Sequence, residues 1–162
     1  MAVHILGIDP GSIQTGWGVV ALEGRQPRHV ASGTFKLGRD KPLTERLVVL
    51  HQELGRVLEQ HRPVQAAVEE VYSGKNAQSA LVLGHARGVA LLDLALAGLE
   101  IHSYSPSLIK QTVTGQGRAD KQQVARMVQL LLGLRQPLAP DQADALAVAL
   151  THAAMSRLRL QP

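Results

Sequence analysis

The sequence predicts a mixed α/β domain, a central five-stranded sheet flanked by helices. Three observations predict it. Three strand-like segments follow one another at the amino end with only turn residues between them, and helical and strand periodicities alternate thereafter. The length of 162 residues suits one ordinary domain that buries its own core, so the expected organisation is a single domain over residues 1–158 and a short C-terminal tail, 159–162.

Residues 3–8 form a short apolar run ended by Asp9, Pro10 and Gly11, the pattern of a buried strand followed by a turn. Residues 17–22 and 28–37 read as the next two strands, with Gly24 and Pro27 marking a hairpin connection. Leu43, Leu47, Leu50, Leu54 and Leu58 recur at helical spacing until Arg62-Pro63 stops the helix. A second buried-type strand, 65–70, ends in acid. A long apolar helix over 76–99 and a short strand over 100–104 follow it. Ser105 and Pro106 start a helix, Gly115 and Gly117 mark a loop, and Val124, Met127, Val128 and Leu131 stripe the next helix. The last helix spans about 140–158, with Pro140 in its first turn.

Aromatic residues are only 2% of the chain against 45% apolar, so Leu, Val, Ile and Ala must build the core. Basic residues outnumber acidic ones 17 to 13, a charge of +4 that suits a polyanionic partner without requiring one. The absence of cysteine excludes disulfides and thiolate metal sites. With no signal-like amino terminus, a cytoplasmic protein is expected. The apolar stretch 77–99 carries His85, Arg87 and Asp93, which argues for a buried or interfacial helix and no membrane span. Asp93 reads as an exposed or interface acid, and His85 and His152 as core or interface residues.

Four positions carry the chemistry. Asp9 ends the first strand, and ligands collect at the carboxyl ends of strands in open α/β sheets. Glu69 and Glu70 end another strand, and alternation points them to opposite faces without saying which faces the site. Asp141 and Asp144 lie three apart on the last helix, opposite an expected core stripe of Ala143, Leu146, Ala147, Leu150 and Ala154. An acid inside A-D-A-L-A-V-A-L is poorly explained by solvation. Carboxylates gathered in one place need cations, and oxygen-only ligation selects Mg²⁺ or Mn²⁺. Two such ions can clamp a phosphodiester with no nucleophilic side chain. Gly115, Gly117, Arg118 and Lys121 add a flexible basic loop at a helix start, suited to phosphate.

Read together, L-G-I-D-P-G-S at 6–12, T-G-W-G-V at 15–19, V-E-E-V-Y at 68–72 and K-N-A-Q-S-A at 75–80 form an ordered series. It continues with H-A-R-G-V-A at 85–90, I-K-Q-T-V-T-G-Q-G at 109–117, A-D-K at 119–121 and D-Q-A-D-A-L-A-V-A-L-T-H at 141–152. The series resembles the signature segments of the RuvC family of Holliday junction resolvases, in that family's order. The resemblance implies a ribonuclease-H-like fold, a homodimer, and symmetric paired nicking of four-way junction DNA by two-metal-ion hydrolysis. It implies Asp9, Glu69, Asp141 and Asp144 as catalytic and metal-binding residues for two Mg²⁺ per site, with Mn²⁺ able to substitute. It chooses Glu69 over Glu70. It further implies DNA contacts from Lys75, Lys110, Arg118 and Lys121, base contact from Tyr72 where the family usually has Phe, and RuvA and RuvB as partners. The D-P-G and T-G-W-G segments also resemble the phosphate loop of actin-like and sugar-kinase ATPases, but those enzymes need two copies of the domain. A junction-binding module without cleavage is disfavoured by the retention of all four acids.

Overall fold

Alternation along the strands and one nearly all-apolar helix determine the architecture. The computed structural model describes residues 2–71 and 76–159, with side chains to 156. Strands β1 (Val3–Asp9), β2 (Gln14–Glu23) and β3 (Gln26–Lys36) form an antiparallel meander. Helix α1 (Leu43–His61) leads back to β4 (Gln65–Glu69), and α2 (Ala77–Leu96) leads to β5 (Glu100–Tyr104). Both β4 and β5 join in parallel, giving the order β3-β2-β1-β4-β5. Helices α3 (Pro106–Thr114), α4 (Lys121–Leu132) and α5 (Pro140–Arg159) complete the described chain. This is the mixed five-stranded sheet the sequence predicts.

Each sheet face has its own core. Leu6 and Ile8 of β1 and Ala66 and Val68 of β4 point to the α1/α2 side and pack with Leu50, Leu54 and Leu94. Ile5 and Ala67, of opposite parity, point to the other side and pack with Val124, Val128 and Leu146 of α4 and α5. By the same alternation Asp9 and Glu69 continue the α5 side.

The sequence boundaries hold to within a few residues. β2 begins at Gln14, three residues earlier than expected, because Thr15 and Gly16 pair with β3 at Phe35 and Thr34. β4 ends at Glu69, so Glu70 lies beyond the strand, its amide donating to the Tyr104 carbonyl at 3.0 Å. α2 stops at Leu96, where Gly98 takes a φ of +75° that a Cβ would strain.

Two expectations need correction. α5 does not carry one core stripe, because the sheet covers one side of it and α3 and α4 the other, so Ala145, Val148 and Ala149 are buried along with Leu146 and Leu150. Asp93 is buried, not exposed: α2 turns it against α1, where its Oδ1 meets His51 Nδ1 at 2.7 Å. α2 is long and apolar enough to cross a membrane by length and composition. Here it packs on α1 and β5.

Candidate active site

The acidic site is built by close approach of α5 to the sheet. Gly7 of β1 stands opposite Gly18 of β2, and Asp9 stands opposite Gly16. A Cβ on Gly7 would lie 2.7 Å from the Ala149 nitrogen, and one on Gly18 2.6 Å from Leu146 Cδ2. A Cβ on Gly16 would lie 2.8 Å from the Asp141 carbonyl carbon and closer still to its oxygen. These glycines therefore let α5 rest on bare backbone, with its first turn over the end of β1. The loop after Asp9 is pinned from two sides. Thr15 Oγ1 bonds both the Gly11 amide, at 3.2 Å, and the Gly11 carbonyl, at 3.1 Å, while Arg46 donates to the Ser12 carbonyl at 2.6 Å.

The result is a cleft of about 210 Å³ that gathers Asp9, Glu69 and Asp144 from β1, β4 and α5, with Lys110 of α3 and Lys121 of α4 on its wall. Asp141 lies a turn before Asp144, outside the immediate lining, but near enough to act electrostatically on Lys121. Arg118 is exposed on the loop before α4. Glu70 is exposed beyond the strand end. Tyr72 and Lys75 lie outside the described residues. Capping places Lys121: Asp120 accepts from the Gln123 amide, and the Gln123 side chain accepts from the Asp120 amide.

Electrostatics dominates this cleft. Burial pushes the Asp9 carboxyl from 3.8 up to about 9, helped by a hydrogen bond to Glu69 and by the charges of Glu69 and Asp144. Lys121 donates to Asp144 Oδ2 at 3.3 Å. The Asp144 charge and that hydrogen bond hold its ammonium above the usual lysine range. Asp9 thus keeps a proton and is neutral, while Asp144 keeps a lysine, so one neutralised acid and one ammonium relieve the crowding of the carboxylates.

Among the described residues, no group of three or more His, Asp or Glu side chains stands in an arrangement that would hold a metal ion as it is. By donor chemistry the set nonetheless fits a hard divalent cation: every donor is a carboxylate oxygen, and the charge of the cluster calls for a cation. Among the described residues, histidine is absent from the cleft lining, which disfavours zinc.

With that geometry in hand, relatives identify the chain. The family profile described as "Crossover junction endodeoxyribonuclease RuvC" matches residues 5–152. The chain belongs to the RuvC family. The crossover junction endodeoxyribonuclease RuvC of Afipia carboxidovorans is 48% identical over 151 residues, covering 93% of this chain and 88% of that one. Its counterpart in Zymomonas mobilis is 49% identical over 148 residues, covering 91% and 89%. The solved structure of T. thermophilus RuvC in complex with Holliday junction substrate superposes with a TM-score of 0.90 at 36% identity, covering 97% of this chain and 96% of that chain. The fold is therefore ribonuclease-H-like, as the RuvC resemblance implied.

Sequence reasoning missed Gly7, Gly16 and Gly18, Thr15 and Arg46. The glycines had a readable signal, since an isolated glycine within a strand marks close backbone approach. Arg46 had none, because its target lies 34 residues away.

Proposed function

We propose that this chain is a structure-selective endonuclease that resolves Holliday junctions by symmetric paired nicks, in DNA recombination and repair. The observation that carries the reading is the convergence of Asp9, Glu69 and Asp144, from three distant segments, in one cleft walled by Lys110 and Lys121. Asp9, Glu69, Asp141 and Asp144 would hold two Mg²⁺, for which Mn²⁺ could substitute. When bound, such ions activate water for in-line attack and stabilise the leaving oxygen.

The chain's own groups do the rest. Lys110 and Lys121 place a phosphate against the acids, and Lys121 must leave Asp144 to do so. Arg118 meets the backbone further out. Such contacts give register and affinity but no sequence information. By the family resemblance, Lys75 adds charge and Tyr72 base contact.

The same reading makes residues 1–158 one nuclease domain, working as a cytoplasmic homodimer beside RuvA and RuvB. Apolar surface on α2 supports the dimer: Leu81, Leu92 and Leu96 are exposed, and Leu81, Gly84, Gly88 and Leu92 line one shallow apolar depression. A two-fold assembly would set identical sites on equivalent strands of the junction.

The test is cleavage of a synthetic four-way junction in Mg²⁺ with each strand labelled separately. Paired nicks on opposing strands are expected, with linear duplex spared. Asp9→Asn, Glu69→Gln and Asp144→Asn should abolish cleavage and retain junction binding, while Glu70→Gln stays active. A fully active Asp9→Asn or Glu69→Gln protein would sink the assignment. Leu81→Glu should lower both the mass in solution and paired nicking.

A further inference from the structure

We infer that Arg87 of α2 is a positioning residue for Glu69, an inference that rests on the nuclease reading above. The β1 register ends at Ile8–Val68, one residue before Glu69, so the last residue of β4 lies past the support of β1. Arg87 supplies support there from outside the sheet. Its Nε donates to the Glu69 main-chain carbonyl at 3.1 Å, and the other arm of its guanidinium donates to Ser103 Oγ of β5 at 2.9 Å.

One rigid planar fork thus ties the end of β4 to β5 from a helix 18 residues further along the chain. The next amide, that of Glu70, is held by the Tyr104 carbonyl at 3.0 Å. With its carbonyl and the following amide both fixed, the Glu69 backbone has little freedom at the point where its side chain enters the cleft. Arg87 does not line that cleft. It acts through the peptide of Glu69 and touches no reacting atom. Lysine cannot replace it fully, since an ammonium lacks the fixed fork that spans the two acceptors.

The experiment compares Arg87→Met, Arg87→Lys, Ser103→Ala and Glu69→Gln in the full-length protein. Readouts are single-turnover junction cleavage against Mg²⁺ concentration, junction affinity in chelator, Mn²⁺ binding to the free protein, and amide hydrogen exchange at Glu70 and Val71. Arg87→Met is expected to lower the cleavage rate about 10–100-fold, the range seen for groups that orient metal-binding side chains. It should weaken Mn²⁺ binding and speed exchange at Glu70, with junction affinity kept. Arg87→Lys should recover part of the rate, and Ser103→Ala, which leaves one arm of the fork in place, should lose less than Arg87→Met.

A folded Arg87→Met protein with the wild-type rate and Mn²⁺ affinity overturns the proposal while Glu69→Gln remains inactive. Equal loss of junction affinity and rate also overturns it, because that marks a general structural role. If Arg87→Met fails to fold, Ser103→Ala and Arg87→Lys decide: wild-type rate and exchange in both refute positioning. An active Glu69→Gln protein removes the nuclease assignment of Glu69 and the inference with it.

Discussion

Replacing Gly16 with alanine should separate cutting from binding. The new Cβ would sit 2.8 Å from the Asp141 carbonyl carbon, where carbon atoms pack comfortably at about 3.5–4.0 Å. The shortfall is about 1 Å. Neither side can yield cheaply, since Gly16 is paired with Asp9 on one side and Thr34 on the other, and the atoms it meets are helix backbone. The first turn of α5 must therefore rise, carrying Asp141 and Asp144 away from Asp9. Overpacking of this kind costs about 1–3 kcal/mol, a fall in Tm of roughly 2–12 °C for a domain of this size. A misplacement near 1 Å lowers a reaction rate about 100-fold. Single-turnover cleavage of a strand-labelled junction measures the rate, and anisotropy in chelator measures binding, which should persist. Gly55→Ala is the control, because a Cβ there meets nothing within 4 Å. Wild-type cleavage by the Gly16→Ala protein would refute the close-approach argument.

Three further outcomes are expected. The Asp9 carboxyl is raised from 3.8 to about 9 by burial and its acidic neighbours, so the folded, metal-free protein binds that proton more tightly than the unfolded chain. Its contribution to stability is full below pH 3.8 and is lost as pH rises towards 9. In chelator, Asp9→Asn should then be more stable than the wild type at pH 8 by thermal unfolding, with the difference closing at acid pH, and Mg²⁺ should stabilise the wild type more. Lys121→Ala should reduce the slope of log junction affinity against log salt by about one unit. An unchanged slope and rate would leave Lys121 as no more than a counter-ion to Asp144. Finally, Asp93 Oδ2 is buried without a hydrogen-bond partner among the described residues, while Oδ1 depends on His51. His51→Ala should cost about 1–3 kcal/mol, whereas Asp93→Leu should melt at or above the wild type; the opposite order would show that the pair is a net stabiliser.

The sequence made some of this legible and hid the rest for physical reasons. Asp9 and Glu69 stood out because strand ends punctuated by turns can be read locally, as could the helix start at Ser105, whose side chain accepts an amide of its own first turn. The choice between Glu69 and Glu70 could not be read from alternation alone, because alternation gives parity but not which face α5 covers. Asp93 was misjudged for a related reason: its partner His51 lies 42 residues away on another helix. The stripe expected on α5 is buried at Ala143, Leu146, Ala147 and Leu150 but understates the burial, because a sheet on one side and two helices on the other also cover Ala145, Val148 and Ala149. The separation between Arg46 and Ser12, and between Lys121 and Asp144, is likewise set by tertiary packing.

The acids of the cleft come from residues 9, 69 and 144, so no contiguous fragment short of nearly the whole domain contains them all. In chain order α5 is the last described element, and it brings Asp141 and Asp144 to a sheet that the preceding segments have already supplied. During synthesis, a ribosome-bound chain that lacks α5 already contains every described strand and the helices carrying Lys110 and Lys121, but not the complete acidic cleft. Under the nuclease reading, the topology itself withholds the cutting centre until nearly the whole domain has been made.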